Sequence, residues 1–202
     1  MTARRVLLLG DSIIDNGAYV QRKEPDVAKQ VQELLPHHIV EKRAFDGSVT
    51  KDVTNNQTHD IGADDLVVIS SGGNDALSHA SLLDADLKAI DLMDKLWSAR
   101  EAFRVDYTAL LSAVMSKTTG VLVLTIYNPN FHHLGQDISL QRAAECGVAL
   151  FNDVIQQEAL AHGCRVLDLR SFFEAPGDYA NPIEPSAAGG AKLADRIRQC
   201  FQ

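Results

Sequence analysis

Cysteine is scarce in this 202-residue chain: Cys146, Cys164 and Cys200 are odd in number and show no C-x-x-C spacing. A disulfide framework or a cysteine-based zinc site is therefore not expected, and a reducing, cytoplasmic setting is. Basic clusters are missing as well. Lys and Arg number 19 against 27 Asp and Glu, for a formal charge of −8, and basic residues gather only in pairs such as Arg4–Arg5 and Arg22–Lys23. Nucleic acid requires a basic face, so no such partner is expected. Apolar runs stop at four residues, as in Val6–Leu9 and Leu66–Ile69, far short of a membrane span or a secretion-signal core. Glycine and proline together make up about a tenth of the chain, which excludes collagen-like and low-complexity architectures. What remains is a soluble, acidic, globular chain. At 46% hydrophobic residues and a length that buries about 70% of the unfolded surface, residues 1–202 are expected to form one domain without help from a metal.

Apolar, β-branched runs alternate with stretches of helical period. Strands are expected at Val6–Leu9, weakly from Ile39 toward Phe45, at Leu66–Ile69, at Val121–Ile126 and at Val166–Leu169. Continuous rather than alternating apolar residues imply burial on both faces, the pattern of a parallel sheet. Pro25 suits a first helical position ahead of Val27, Val31, Leu34 and Leu35. Residues 81–117 lack Gly and Pro, and Ser98-x-x-Glu101 reads as a capping box that divides them into a short helix and a longer one. A further helix should run from about Ser139 to His162 and stop at Gly163, with a last one starting near Pro185–Ser186. The pattern predicts a three-layer α/β/α sandwich around a parallel sheet of about five strands.

Right-handed crossovers bring the carboxyl ends of all the strands to one edge, where open α/β sheets bind ligands. Four of these ends are small or polar: Gly10-Asp11-Ser12, Asp46-Gly47-Ser48, Gly72-Gly73-Asn74-Asp75 and Tyr127-Asn128-Pro129. Taken singly, each suits an ordinary turn; together they ring one edge. Ser12 is a candidate nucleophile and equally a good N-cap. Gly47 has a backbone N–H with no side chain in the way, and Asn74 has an amide that can face a developing oxyanion. A nucleophile with two or three converging donors is what acyl transfer requires.

These blocks resemble the SGNH, or GDSL-type, hydrolases: Gly10-Asp11-Ser12-Ile13, the lone Gly47, Gly72-Gly73-Asn74-Asp75, and a Pro185-Ser186-Ala187-Ala188-Gly189 tail before the last helix. The resemblance spans nearly the whole chain. It implies a flavodoxin-like sandwich and hydrolysis of a small carboxylic ester or thioester. It also implies Ser12 as nucleophile, with an oxyanion hole from the Ser12 N–H, Gly47 and Asn74. Asp11, Asp15, Tyr19, Asn128 and His132 border the same edge as candidate substrate contacts.

The family's last block, Asp-x-x-His-Pro, is altered. Alignment on the tail puts Asn181 at the Asp position and Glu184 at the His position; a second register keeps Asp178 as the acid and puts Asn181 at the base. Neither supplies histidine. An unperturbed Glu is a weaker base than His by about two pKa units, a gap that burial narrows. Glu184 before Pro185 also suits the positive end of the last helix. His132-His133 and His79 are alternative sources of an imidazole. No nucleotide loop, nucleophile elbow or H-E-x-x-H is present, so no cofactor or metal is expected. The competing readings are a catalytically weakened binder of acylated small molecules and, less well supported, a flavodoxin-like nucleotide or phosphate binder. Oligomeric state is not legible.

Overall fold

A computed structural model describes residues 3–84, 86–131 and 138–201. Five strands, β1 (Arg5–Gly10), β2 (Ile39–Lys42), β3 (Leu66–Ser70), β4 (Gly120–Leu124) and β5 (Arg165–Leu167), form one sheet in the order β2-β1-β3-β4-β5. Every pairing is parallel. This is the flavodoxin-like order, whose topological switch point lies between β1 and β3.

Alternate residues of the strands feed two cores. Val6, Leu8, Val68, Leu122 and Leu124 pack against α1 (Val27–Leu34) and α6 (Ala187–Phe201). Leu7, Leu9, Val67, Ile69, Val121 and Val123 pack against α2 (Thr50–Gln57), α4 (Ala89–Met115) and α5 (Ile138–Ala161). The short α3 (Gly73–Leu77) follows β3 directly. Among the described residues no helix is long and apolar enough to cross a membrane.

Several local expectations are corrected. Helix α1 begins at Val27, after Pro25, because the Asp26 side chain caps it by accepting from the Lys29 N–H at 2.8 Å. Helix α4 does not break at Ser98: that hydroxyl donates to the Asp94 carbonyl one turn back, at 2.9 Å, instead of capping a new helix. Strand β5 is an edge strand with Val166 40% exposed, so burial on both faces holds only for the middle of the sheet. Helices α2 and α3 were not anticipated. The polar run of α2, Thr50-Lys51-Asp52-Val53-Thr54-Asn55-Asn56-Gln57, favours helix weakly, and tertiary hydrogen bonds hold its start.

Candidate active site

Strand β1 ends where only glycine fits. Gly10 has φ +136°, and a Cβ there would lie 1.8 Å from the Ser70 carbonyl oxygen on β3. The buried Gln57 amide clamps the strand end, accepting from the Gly10 N–H at 2.7 Å and donating to its carbonyl at 2.9 Å. The chain then makes one helical turn: the N–H groups of Ile14 and Asp15 both donate to the Asp11 carbonyl, at 3.1 and 2.9 Å. Asp11 Oδ1 accepts from the Ile13 N–H at 3.1 Å and from the Ser70 hydroxyl at 3.0 Å, tying this turn to β3. Ser12 sits on the turn, buried but bordering a cavity, and its own N–H has no partner among the described residues.

Across the β1/β3 crevice, Asn74 begins α3. Its Nδ2 donates to the Ser48 carbonyl at 3.0 Å, which holds the Gly47 loop against α3. Gly47 takes φ +81°, the left-handed region open to glycine. Its N–H is also without a partner among the described residues. Asp75 strengthens the junction: its Oδ2 accepts from the Thr50 N–H at 3.0 Å and the Thr50 hydroxyl at 2.9 Å, while Thr50 Oγ1 lies 2.8 Å from Ser71 Oγ. Tyr19 donates to Asp46 Oδ2 at 2.8 Å, which with burial pushes its hydroxyl up to about 12. Asp15 accepts from the Asp46 N–H at 3.0 Å and pairs with Lys42. Asp15 and Tyr19 thus brace the Gly47 loop.

Glu184 enters from the far end of the chain. Residues 179–185 form a narrow loop closed by an antiparallel bridge between Tyr179 and Pro185. Four contacts fix it. Tyr127 donates to the Ile183 carbonyl at 2.7 Å, and the Asn130 N–H to the Pro182 carbonyl at 2.7 Å. Asn16 Nδ2 donates to the Pro185 carbonyl at 3.3 Å, and Tyr179 donates to the Asn128 carbonyl at 2.8 Å. Asn181 Oδ1 accepts from the N–H groups of Ile183 and Glu184, each at 3.0 Å, so its side chain shapes the turn and holds the backbone that carries the carboxylate.

The Glu184 carboxyl is pushed up to about 7, chiefly by burial; the neighbouring Ser12 hydroxyl pulls it down and the charge of Asp46 adds to the rise. Its Oε2 is buried without a hydrogen-bond partner among the described residues. Asp11, fully buried, is likewise raised to about 7 by burial, opposed by the Ile13 N–H and the Ser70 hydroxyl. Among the described residues its Oδ2 is also bare. Asp178 belongs elsewhere: its Oδ2 accepts from the N–H groups of Glu174 and Ala175 and from Lys192, at 3.1, 2.9 and 2.8 Å. That carboxylate is consumed in holding the turn before α6.

Ser12, Asn74, Asp11 and Glu184 border one cavity of about 250 Å³. The remainder of its wall is mainly apolar and includes Leu83, Leu96, Ile126, Leu140, Val148 and Phe151. His79 also lines it, 6.4 Å ring to ring from Phe151. Gly47 lines a separate polar groove next door, together with Asp46 and Ser48; the Asn74–Ser48 bond is the link between the two. Asn128 does not border the cavity. His132 and His133 lie outside the described residues. Sequence reasoning missed the α5 part of the apolar wall, the Asn16 and Tyr127 supports of the Glu184 loop and the Thr50–Asp75 junction.

The sheet order, with a serine and an asparagine flanking the β1/β3 crevice, defines an SGNH-type hydrolase scaffold. Residues 8–192 match the GDSL-like lipase/acylhydrolase family, and the chain belongs to that family. No curated protein matches it in sequence. Among solved structures it is similar to phospholipase A1 from Streptomyces albidoflavus NA297, at TM-score 0.71 and 20% identity over 97% of this chain and 99% of that one. It is similar to an extracellular lipase from Streptomyces rimosus, at 0.73 and 19% over 98% and 100%. It is also similar to an acetylxylan esterase from Geobacillus stearothermophilus, at 0.67 and 18% over 100% and 96%. At these identities the likeness establishes the fold.

Proposed function

We propose that this chain is a serine hydrolase of carboxylic esters or thioesters, with Glu184 as its base. One observation carries the reading: the Ser12 hydroxyl and the buried Glu184 carboxylate are neighbours in the wall of one cavity. Ser12 Oγ attacks the substrate carbonyl carbon while Glu184 takes its proton. The Ser12 N–H and the Asn74 amide, which border the cavity, receive the oxyanion, joined by the Gly47 N–H from the adjoining loop that the Asn74–Ser48 bond holds alongside. Collapse breaks the acyl–oxygen or acyl–sulfur bond, and Glu184 returns the proton to the departing alcohol or thiol. Glu184 then activates a water that attacks the acyl-enzyme and restores the serine. A base poised near neutral pH favours this exchange.

The cavity's apolar wall supports an aliphatic acyl group as the part of the substrate it receives. Three free cysteines support a cytoplasmic setting. A second reading, binding of an acylated small molecule with little turnover, draws on Asn181: its side chain serves backbone N–H groups, and among the described residues Glu184 Oε2 has no orienting partner. Hydrolysis of p-nitrophenyl esters and labelling by a fluorophosphonate decide between them. Turnover and labelling that both vanish in Ser12→Ala support the hydrolase; a wild-type chain that shows neither is the binder.

A further inference from the structure

The first turns of α4 carry an apolar stripe left open to solvent. Ile90, Met93 and Trp97 recur at i, i+3 and i+7, on one side of the helix, and are 73%, 56% and 59% exposed. Farther along, the same helix buries Phe103, Tyr107, Leu110, Leu111 and Val114 against the sheet. Leu96, one turn after Met93, lines the cavity beside Ser12, and so do the exposed Leu77 and Leu83. The stripe therefore adjoins the cavity wall. Single apolar residues on a surface are ordinary; a contiguous set beside a cavity marks an interaction surface.

Charge narrows the occupant. The chain carries −8 overall, while the stretch from Asp86 to Trp97 nearly balances Asp86, Asp91 and Asp94 against Lys88 and Lys95. An anionic surface is repelled by the molecule as a whole; a neutral or zwitterionic one is not. Trp97, with the Arg100 guanidinium 5.0 Å from its ring, has the amphipathic ring that settles between apolar chains and water.

We propose that Ile90, Met93 and Trp97 dock on the surface of a neutral or zwitterionic amphiphile aggregate, from which an acyl ester enters the adjoining cavity. The proposal rests on the hydrolase reading for the fate of that ester, but the docking itself is measured independently of turnover. A second copy of this chain is the rival occupant.

Trp97 is the only tryptophan, so its emission reports on the stripe directly. The full chain is titrated with dioleoylphosphatidylcholine vesicles, with vesicles whose chains are brominated, and with phosphatidylglycerol vesicles. Docking predicts a blue shift on phosphatidylcholine, quenching by the brominated chains and weaker partitioning onto phosphatidylglycerol. Ile90→Glu with Met93→Glu should cut partitioning and hydrolysis of a micellar ester by about tenfold or more, while turnover of a soluble short-chain ester stays within about twofold. Unchanged emission on phosphatidylcholine overturns the proposal, as does partitioning that survives the double substitution. Sedimentation showing a dimer that the double substitution dissolves overturns it in favour of self-association. A shift seen in a chain without esterase turnover supports docking and removes the hydrolase reading alone.

Discussion

The Ser12 hydroxyl neighbours the Glu184 carboxyl and offsets part of the rise by which burial brings that carboxyl to about 7. Histidine ordinarily titrates near ~6.5 and glutamate near ~4.3, so the site gives a carboxyl the proton affinity of an imidazole. The geometry behind this is the loop of residues 179–185, held from below by Tyr127 and Asn16 and turned by Asn181.

The first prediction is a pH profile. In the proposed mechanism Glu184 must be ionised to accept the Ser12 proton, so kcat/KM should rise as pH passes through about 7 and level off above it. Glu184→Gln should lower kcat by about 10²–10⁴ and abolish that limb. A limb that survives in Glu184→Gln would assign the base to another group, and His79 in the same cavity would be the first to test.

A second prediction concerns register. Glu184 borders the cavity, whereas the Asp178 carboxylate is spent on backbone N–H groups and Lys192. Installing the family's block as Asn181→Asp with Glu184→His should therefore retain activity within about tenfold of the wild type and keep an acidic limb near ~6.5. The alternative pair, Gly177-flanked Asp178 with Asn181→His, should be inactive, and activity there would reverse the assignment.

How much of this was readable beforehand follows from which forces are local. The apolar runs of β1, β3 and β4 announce themselves because both faces are buried. Ser12 and Asn74 are legible as candidates because they follow two of those strands, and Glu184 because the Pro185-Ser186-Ala187-Ala188-Gly189 tail resembles the family's and sets its register. Helix α2 was missed because its residues have weak helical preference and its start is held by Asp75, 25 residues away in the chain. Asn16 read as a turn signal, yet its side chain supports a carbonyl 169 residues distant. The cavity wall draws on α3, α4 and α5 together, and no single stretch of sequence encodes that meeting.

Asn74 offers a third test. Its amide is both a candidate oxyanion donor and the tie to the Ser48 carbonyl. Removing one such donor typically costs about 10²–10³ in kcat. Asn74→Ala should show a loss of that order with KM little changed, since the donor acts on charge that develops only in the transition state. A loss confined to KM would make Asn74 a ground-state contact instead.

Asp75 should act through its neighbours. Its carboxylate holds the start of α2, just after the Gly47 loop, onto the start of α3 that carries Asn74. Asp75→Asn sets an amide N–H among donors or forces a flip, so kcat should fall by about tenfold with KM preserved. Thr50→Val should resemble it and Thr50→Ser should not, because serine keeps the hydroxyl that Asp75 accepts from. Equal behaviour of the two threonine variants would argue that packing, not the hydrogen bond, sets the loop.

The last prediction is that this fold loses stability as pH rises through neutrality. Asp11 and Glu184 both hold their protons more tightly in the folded chain than in the unfolded one, at about 7 against ordinary carboxyl values. Their favourable contribution is therefore complete below the unfolded pKa and is lost as pH climbs to about 7. For the fully buried Asp11 the loss between about pH 5 and pH 8 amounts to about 3 kcal/mol; for Glu184, which borders the cavity, solvent screening makes it smaller. Asp65, Asp153 and Asp168 are lowered by their arginine hydrogen bonds and act in the opposite sense, but only on further acidification. Urea midpoints should accordingly be higher near pH 5 than near pH 8. Asp11→Asn should flatten the difference, because its Oδ1 still accepts from Ser70 and Ile13 while an uncharged amide replaces the bare Oδ2. A midpoint that climbs from pH 5 to pH 8 in the wild type would mean that Asp11 is ionised and that a donor satisfies it.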